Sequence, residues 1–152
     1  MQDDKFTDYV RKYSDMVYRI AHSYTRSRPD SEDIMQDVLM KLYQSGKPFR
    51  DEEHVRAWLI RVAVNRSKDV LRTRKRKSTE TLETDVSQAH QESDLDSAMA
   101  TLSEEYRLVV YLHYYEGYSV KDIAHIIRIS ESNVKIRLKR ARDKLREFLT
   151  DT

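Results

Sequence analysis

The chain has 152 residues, of which 36% are charged and 39% apolar, and its formal net charge is +2. The absence of cysteine excludes disulfides and thiolate metal sites, and two glycines and two prolines are fewer turn residues than a strand-rich fold needs. No apolar run approaches the roughly 18 residues that cross a membrane, and Met1 to Lys5 is polar with no apolar stretch behind it, so a cytoplasmic protein without a membrane segment is expected. High charge and modest apolar content suit thin helical domains with large solvated surfaces.

In chain order, Phe6, Val10, Tyr13, Val17, Ile20 and Tyr24 recur at spacings of three and four, one face of a helix that Pro29 should end. Asp30 can cap a second helix with its carboxylate on a first-turn N–H, and Glu32 and Asp33 favour that helix's positive end. Its apolar stripe is Ile34, Val38 and Leu42, and Gly46 with Pro48 breaks it. A third helix is expected from about Asp51 to Glu53, carrying Val55, Leu59, Val62 and Val70 inward and running into the basic stretch Arg72 to Lys77.

Residues 78–94 have no clean period and are rich in Ser, Thr, Glu and Asp; no Lys or Arg occurs from Ser78 to Ser103. They read as an acidic flexible linker. A short helix with Leu95, Met99 and Leu102 follows, then one capped by Ser103 with Tyr106, Val109, Val110 and Leu112. Gly117 is a left-handed stop. Ser119 and Asp122 form a capping-box pattern for a short helix through Ile127. Ser130 caps the last helix, whose apolar face is Val134, Leu138, Ala141, Leu145 and Leu149. The expected architecture is all-α: two small helical domains, 1–77 and 95–152, on either side of the linker.

A short helix, a tight turn and a longer basic helix make a helix-turn-helix pattern. Glu131, Ser132, Asn133, Lys135 and Ile136, at the start of the second helix, would face base edges in the major groove; Asn suits adenine and Glu suits the cytosine amino group. Later basic side chains would hold phosphates. The alternative is a solvated basic helix capping a bundle.

The stretch Ser-Val-Lys-Asp-Ile-Ala-His-Ile-Ile-Arg-Ile-Ser ending at Ser130, then Asn133 to Arg142 and Lys144-Leu145, resembles the domain of bacterial sigma factors that reads the minus-35 promoter element. Leu102 to Arg107 resembles the segment that leads into it. In the first half, Ser31 to Leu39 resembles the family's helix for binding core polymerase. Phe49, Trp58 to Asn65, Asp69 and Arg72 resemble its segment for the minus-10 element. The resemblance spans roughly residues 6–149. With no room for the extra domain of housekeeping sigma factors, it points to the extracytoplasmic-function group. Four positions depart from the usual pattern: Arg128 replaces a turn glycine, Ser103 a proline, and Ser132-Asn133 a Gly-Thr pair.

The resemblance implies a non-enzymatic role as an alternative sigma factor. Asp33, Gln36 and Asp37, with Leu39 and Met40, would bind core RNA polymerase at the clamp of its largest subunit, and the polymerase's flap region is a further expected contact. Phe49 and Asn65 would hold a base flipped from the melted minus-10 strand, while Arg61, Lys68, Arg72, Arg74 and Arg76 follow the DNA backbone. Trp58 is read as core beside Leu59 and Val62. Ser130, Glu131, Ser132, Asn133, Lys135, Arg137, Lys139, Arg140 and Arg142 would bind the minus-35 duplex. An anti-sigma protein is a partner many group members have, and the free chain is expected to be monomeric.

His22, His54, His90, His113 and His125 show no metal-ligand spacing, and no phosphate loop, nucleophile elbow or paired-carboxylate site stands out. No cofactor, metal or catalytic residue is expected. Two other functions compete: a stand-alone helix-turn-helix regulator, which predicts dimers and a palindromic site, and a sigma-like decoy that binds core or an anti-sigma protein without initiating.

Overall fold

The structure, a computed structural model, describes residues 1–46, 48–78 and 94–150. Among these the regular structure is helical: α1 (Asp3–Thr25), α2 (Arg28–Gln44), α3 (Glu52–Ser78), α4 (Asp94–Ala100), α5 (Glu104–Val110), a π-helical turn at Tyr111–Tyr115, α6 (Val120–Ile127) and α7 (Glu131–Thr150). They fall into two compact units, Met1–Leu71 and Arg72–Thr152. The expected linker, 78–94, lies outside the described residues except at its two ends. Among the described residues no helix is long and apolar enough to cross a membrane.

In the first unit, α1 and α2 pack as an antiparallel pair: Tyr43, late in α2, donates its hydroxyl to Asp3 at 3.2 Å and meets the Phe6 ring edge-on at 5.0 Å. The core takes Tyr9, Tyr13, Met16, Val17, Ile20 and Tyr24 from α1, and Ile34, Val38 and Leu42 from α2. Phe6 and Val10 are only half-buried. From α3 come Val55, Leu59, Ile60, Ala63 and Val64. Val62 and Val70, expected inward, are half-buried. The rows 55-59-63 and 60-64 are adjacent i, i+4 ridges, and they leave position 62 on the flank.

The turn between α1 and α2 departs from expectation. Arg26 ends α1 in the left-handed region (φ 48), with its N–H on the His22 carbonyl at 2.9 Å. Ser27, and not Asp30, is the cap, its hydroxyl accepting from the Asp30 N–H at 3.3 Å. Pro29 therefore opens α2 instead of closing α1; a missing N–H costs nothing in a helix's first turn. Behind it, the fully buried Ser31 donates to the Ser27 carbonyl at 2.6 Å and lies 3.0 Å from the Thr25 hydroxyl.

The second unit is built on α7, against which α4, α5 and α6 pack. Ala98, Leu102, Leu108, Val109, Leu112, Ile123, Ala124, Ile126, Val134, Leu138 and Ala141 are buried. Leu95 and Leu149, expected on apolar faces, are exposed. Arg107 is buried and donates to the carbonyls of Leu102 and Met99, so it ties the end of α4 to α5. The hydroxyls of Ser103, Ser119 and Ser130 accept from Tyr106, Asp122 and Asn133 N–H groups at 3.4, 3.1 and 3.0 Å. All three expected caps are thus in place. Gly117 takes φ +80, as a left-handed stop requires.

Arg128 occupies the turn between α6 and α7 at φ 61, ψ 48, with its N–H on Ala124. An L-residue there brings its Cβ close to the following carbonyl, at a cost of about 1 kcal/mol or more. Glycine escapes this but is more disordered when unfolded. Arg128→Gly should therefore raise stability by about 0.5–1 kcal/mol, read as a higher urea midpoint at unchanged slope.

Candidate nucleic-acid and protein interfaces

The α7 surface sorts its cations into two kinds. Arg137 is turned inward: only 18% of its side chain is exposed, it ion-pairs with Glu105 of α5 at 3.5 Å, and its Nε donates to the Asn133 side-chain oxygen at 3.1 Å. Both residues were expected to meet DNA, yet both are engaged within the unit. Asn133 keeps its amide donors, whereas Arg137 acts as a brace between α5 and α7. By contrast Lys135, Lys139, Arg140 and Arg142 are exposed and have no carboxylate partner among the described residues. Glu131 and Ser132 are exposed at the first turn. The Ser130 hydroxyl is occupied as the cap. Unpaired cations along a helix that starts with open N–H groups present an anion-binding face.

On α2, Asp33, Gln36 and Asp37 are exposed on one face with Met40, which is 57% exposed. The spacing i, i+3, i+4, i+7 accounts for the shared face. Leu39 lies on the flank and is half-buried. Asp37 is not free: the Arg66 Nε of α3 meets its carboxylate at 2.9 Å. Sequence reasoning missed Arg66, because a contact between helices leaves no periodic signal. The remaining face is acidic and amide-bearing around an exposed apolar side chain.

Ahead of α3, Phe49 is half-buried in an aromatic cluster. Its ring centroid is 6.3 Å from Tyr9, 5.2 Å from His54 and 5.6 Å from Trp58, edge-on to each. Trp58 is half-buried and so joins this cluster, not the deep core. An open cavity of about 350 Å³ lies beside Phe49, lined also by Lys5, Tyr9, Ser45, Gly46 and Pro48. The segment before α3 is closely held: the Asp51 carboxylate accepts the His54 N–H at 2.8 Å and His54 Nδ1 accepts the Arg50 N–H at 3.0 Å. Asn65 and Lys68 are exposed on α3, Arg61 is half-buried, and Arg72, Arg74 and Arg76 are exposed toward its end. Among the described residues no hydrogen bond links Asn65 to the Phe49 segment.

Comparison with known proteins gives a consistent result. The sequence matches the Sigma-70 region 2 family over residues 9–77 and the Sigma-70 region 4 family over residues 92–145. It is 33% identical to the ECF RNA polymerase sigma factor SigM of Bacillus subtilis, over 88% of each chain. It is 30% identical to SigM of Mycobacterium tuberculosis, covering 95% of this chain and 76% of that one. The fold is similar to that of the sigma factor RpoE solved in complex with the anti-sigma factor NepR from Bartonella quintana. That match has a TM-score of 0.79 at 24% identity and covers 96% and 97% of the two chains.

The aromatic loop offers a pH test. Glu52 accepts the Tyr13 hydroxyl and pairs with Lys12 at 3.3 Å, and the Tyr13 bond first, then Lys12, hold its carboxyl below the usual range. A lowered folded value means that stabilisation is full above the unfolded value near 4.3 and is lost as pH falls through the folded one. Because Glu52 is half-exposed, the effect is at most about 1 kcal/mol. Glu52→Gln should lower the melting temperature at pH 7, and the gap from the parent should narrow as pH falls below the unfolded value and through the folded one.

Proposed function

This chain belongs to the extracytoplasmic-function group of the sigma-70 family, bacterial transcription initiation factors that work with RNA polymerase, and on that premise we propose a division of labour between its two units. The first unit binds core polymerase and opens the minus-10 element; the second holds the minus-35 duplex. The observation that carries this reading is the sorting of charge on α7, where Arg137 is spent on Glu105 while Lys135, Lys139, Arg140 and Arg142 have no carboxylate partner among the described residues.

On this reading Asp33, Gln36, Asp37, Leu39 and Met40 dock on the clamp of the polymerase's largest subunit, with Asp37 oriented by Arg66. Phe49 and Asn65 receive a flipped base, whose unstacking costs a few kcal/mol that a shaped pocket can recover. Arg61, Lys68, Arg72, Arg74 and Arg76 follow the backbone of the melted region. Glu131, Ser132 and Asn133 lie where base edges are read, and Lys135, Lys139, Arg140 and Arg142 set the docking register on phosphates. The chemistry of RNA synthesis belongs to the polymerase. An anti-sigma protein, as RpoE binds NepR, would compete for the same faces. The free chain acts as a monomer and works where the polymerase is, in the cytoplasm.

Run-off transcription with bacterial core polymerase on a library of promoter-like templates tests the proposal. Transcripts that depend on the protein and share two upstream elements are expected. Co-elution with core without transcripts would leave a decoy, and sequence-specific duplex binding without co-elution would leave a stand-alone regulator. Within the assay, Asn65→Ala should abolish open-complex formation, read by permanganate reactivity, at unchanged core affinity. Asp33→Ala with Gln36→Ala should do the reverse, weakening core binding about tenfold.

A further inference from the structure

We propose that Tyr114 is a DNA-positioning residue: its hydroxyl steers the Arg142 guanidinium onto a backbone phosphate and donates its own hydrogen to that same phosphate. This rests on the reading that α7 docks on duplex DNA and adds a residue from outside the helix-turn-helix. Arg142 NH1 lies 3.0 Å from the Tyr114 hydroxyl oxygen, across 28 residues of sequence. The guanidinium donates in that bond, so the phenol oxygen accepts and its hydrogen stays available. Arg142 has no other polar partner among the described residues, so its remaining N–H groups are available as well. Tyr114 is 56% exposed. Two donors therefore converge on one exposed point, a cationic fork beside a neutral O–H. That arrangement suits a phosphate with more than one free oxygen.

The backbone around Tyr114 is specialised. It sits within the π-helical turn Tyr111–Tyr115, a widened turn that re-aims side chains and that proteins favour at functional sites. The ring is braced by His113, edge-on at 4.9 Å, and His113 Nδ1 is in turn 2.7 Å from the Tyr118 carbonyl. Tyr111 and Tyr115 stack at 5.2 Å on the same turn. Along α7, Arg142 follows Lys135 by seven residues, two turns on the same side, with Lys139 between them. The pair thus extends the unpaired cationic stripe at its far end, where backbone contacts and not base contacts are expected.

The test uses the full chain, an end-labelled mixed-sequence duplex of about 30 base pairs, and anisotropy titrations between about 50 and 200 mM salt. Tyr114→Phe keeps the ring and removes the hydroxyl. It should weaken binding about three- to tenfold and flatten the salt dependence, with no change in melting temperature. Arg142→Ala should lower the slope by about 0.9, and the double variant should lose less than the sum of the two single losses. Parent-like binding by Tyr114→Phe, additive losses in the double variant, or a loss matched by a fall in melting temperature would each overturn the role of Tyr114. In those cases the α7 reading survives provided that Arg142→Ala and Lys139→Ala still lose affinity and slope. If those two variants bind as the parent does, the α7 reading itself fails, and the role of Tyr114 with it.

Discussion

The buried guanidinium of Arg107 makes the second unit possible. Two short helices, α4 and α5, meet at Thr101–Ser103, where the Met99 carbonyl accepts the Leu102 N–H and the Leu102 carbonyl faces the buried Arg107. Arg107 donates to the carbonyls of Leu102 and Met99 from the next helix. An unmade bond at such a place costs roughly 1–3 kcal/mol, a large share of what so small a core supplies. With α4 fixed to α5, the π-helical turn has a rigid start and α7 has a surface to pack against. The spacing from Leu102 to Arg107 therefore has a physical reading: the leucine fills the core and the arginine closes the helix end beside it.

The first unit solves a related problem with exposed groups. Its three helices are joined by Asp37 with Arg66 and by Glu52 with Tyr13 and Lys12. Each such pair is weak where water has access. Their value is geometric. They fix how α3 leaves the segment that carries Phe49, and how the acidic face of α2 is presented. Charges placed at the rim of a patch orient a partner more than they add affinity.

What the sequence made legible was local. The caps at Ser103, Ser119 and Ser130 were readable because a short hydroxyl side chain before an apolar period acts within three residues. Ser27 was not, since Asp30 offered an equal cap and only the left-handed Arg26 decides between them. The α3 stripe was ambiguous because positions 59–64 are apolar except Arg61, so several faces fit. Leu95 and Leu149 show the limit of periodicity: it gives the face a residue shares, not whether anything covers it. The candidate site divides the same way. Exposed, unpaired Lys135 and Lys139 matched the pattern of a basic helix, while the inward turn of Arg137 toward Glu105 and the reach of Arg142 to Tyr114 depend on tertiary contacts that no spacing reveals.

The stripe on α7 has a thermodynamic consequence for the chain when it is alone. Lys135, Lys139, Arg140, Arg142, Lys144 and Arg146 crowd a single helix and repel one another, and none is ion-paired with a carboxylate among the described residues. That repulsion opposes folding at low ionic strength. A polyanion removes it and, by mass action, draws the population toward the folded form. The unassociated protein is therefore the least stable of its states. These six side chains thus favour nucleic-acid binding and oppose folding of the isolated chain at low salt.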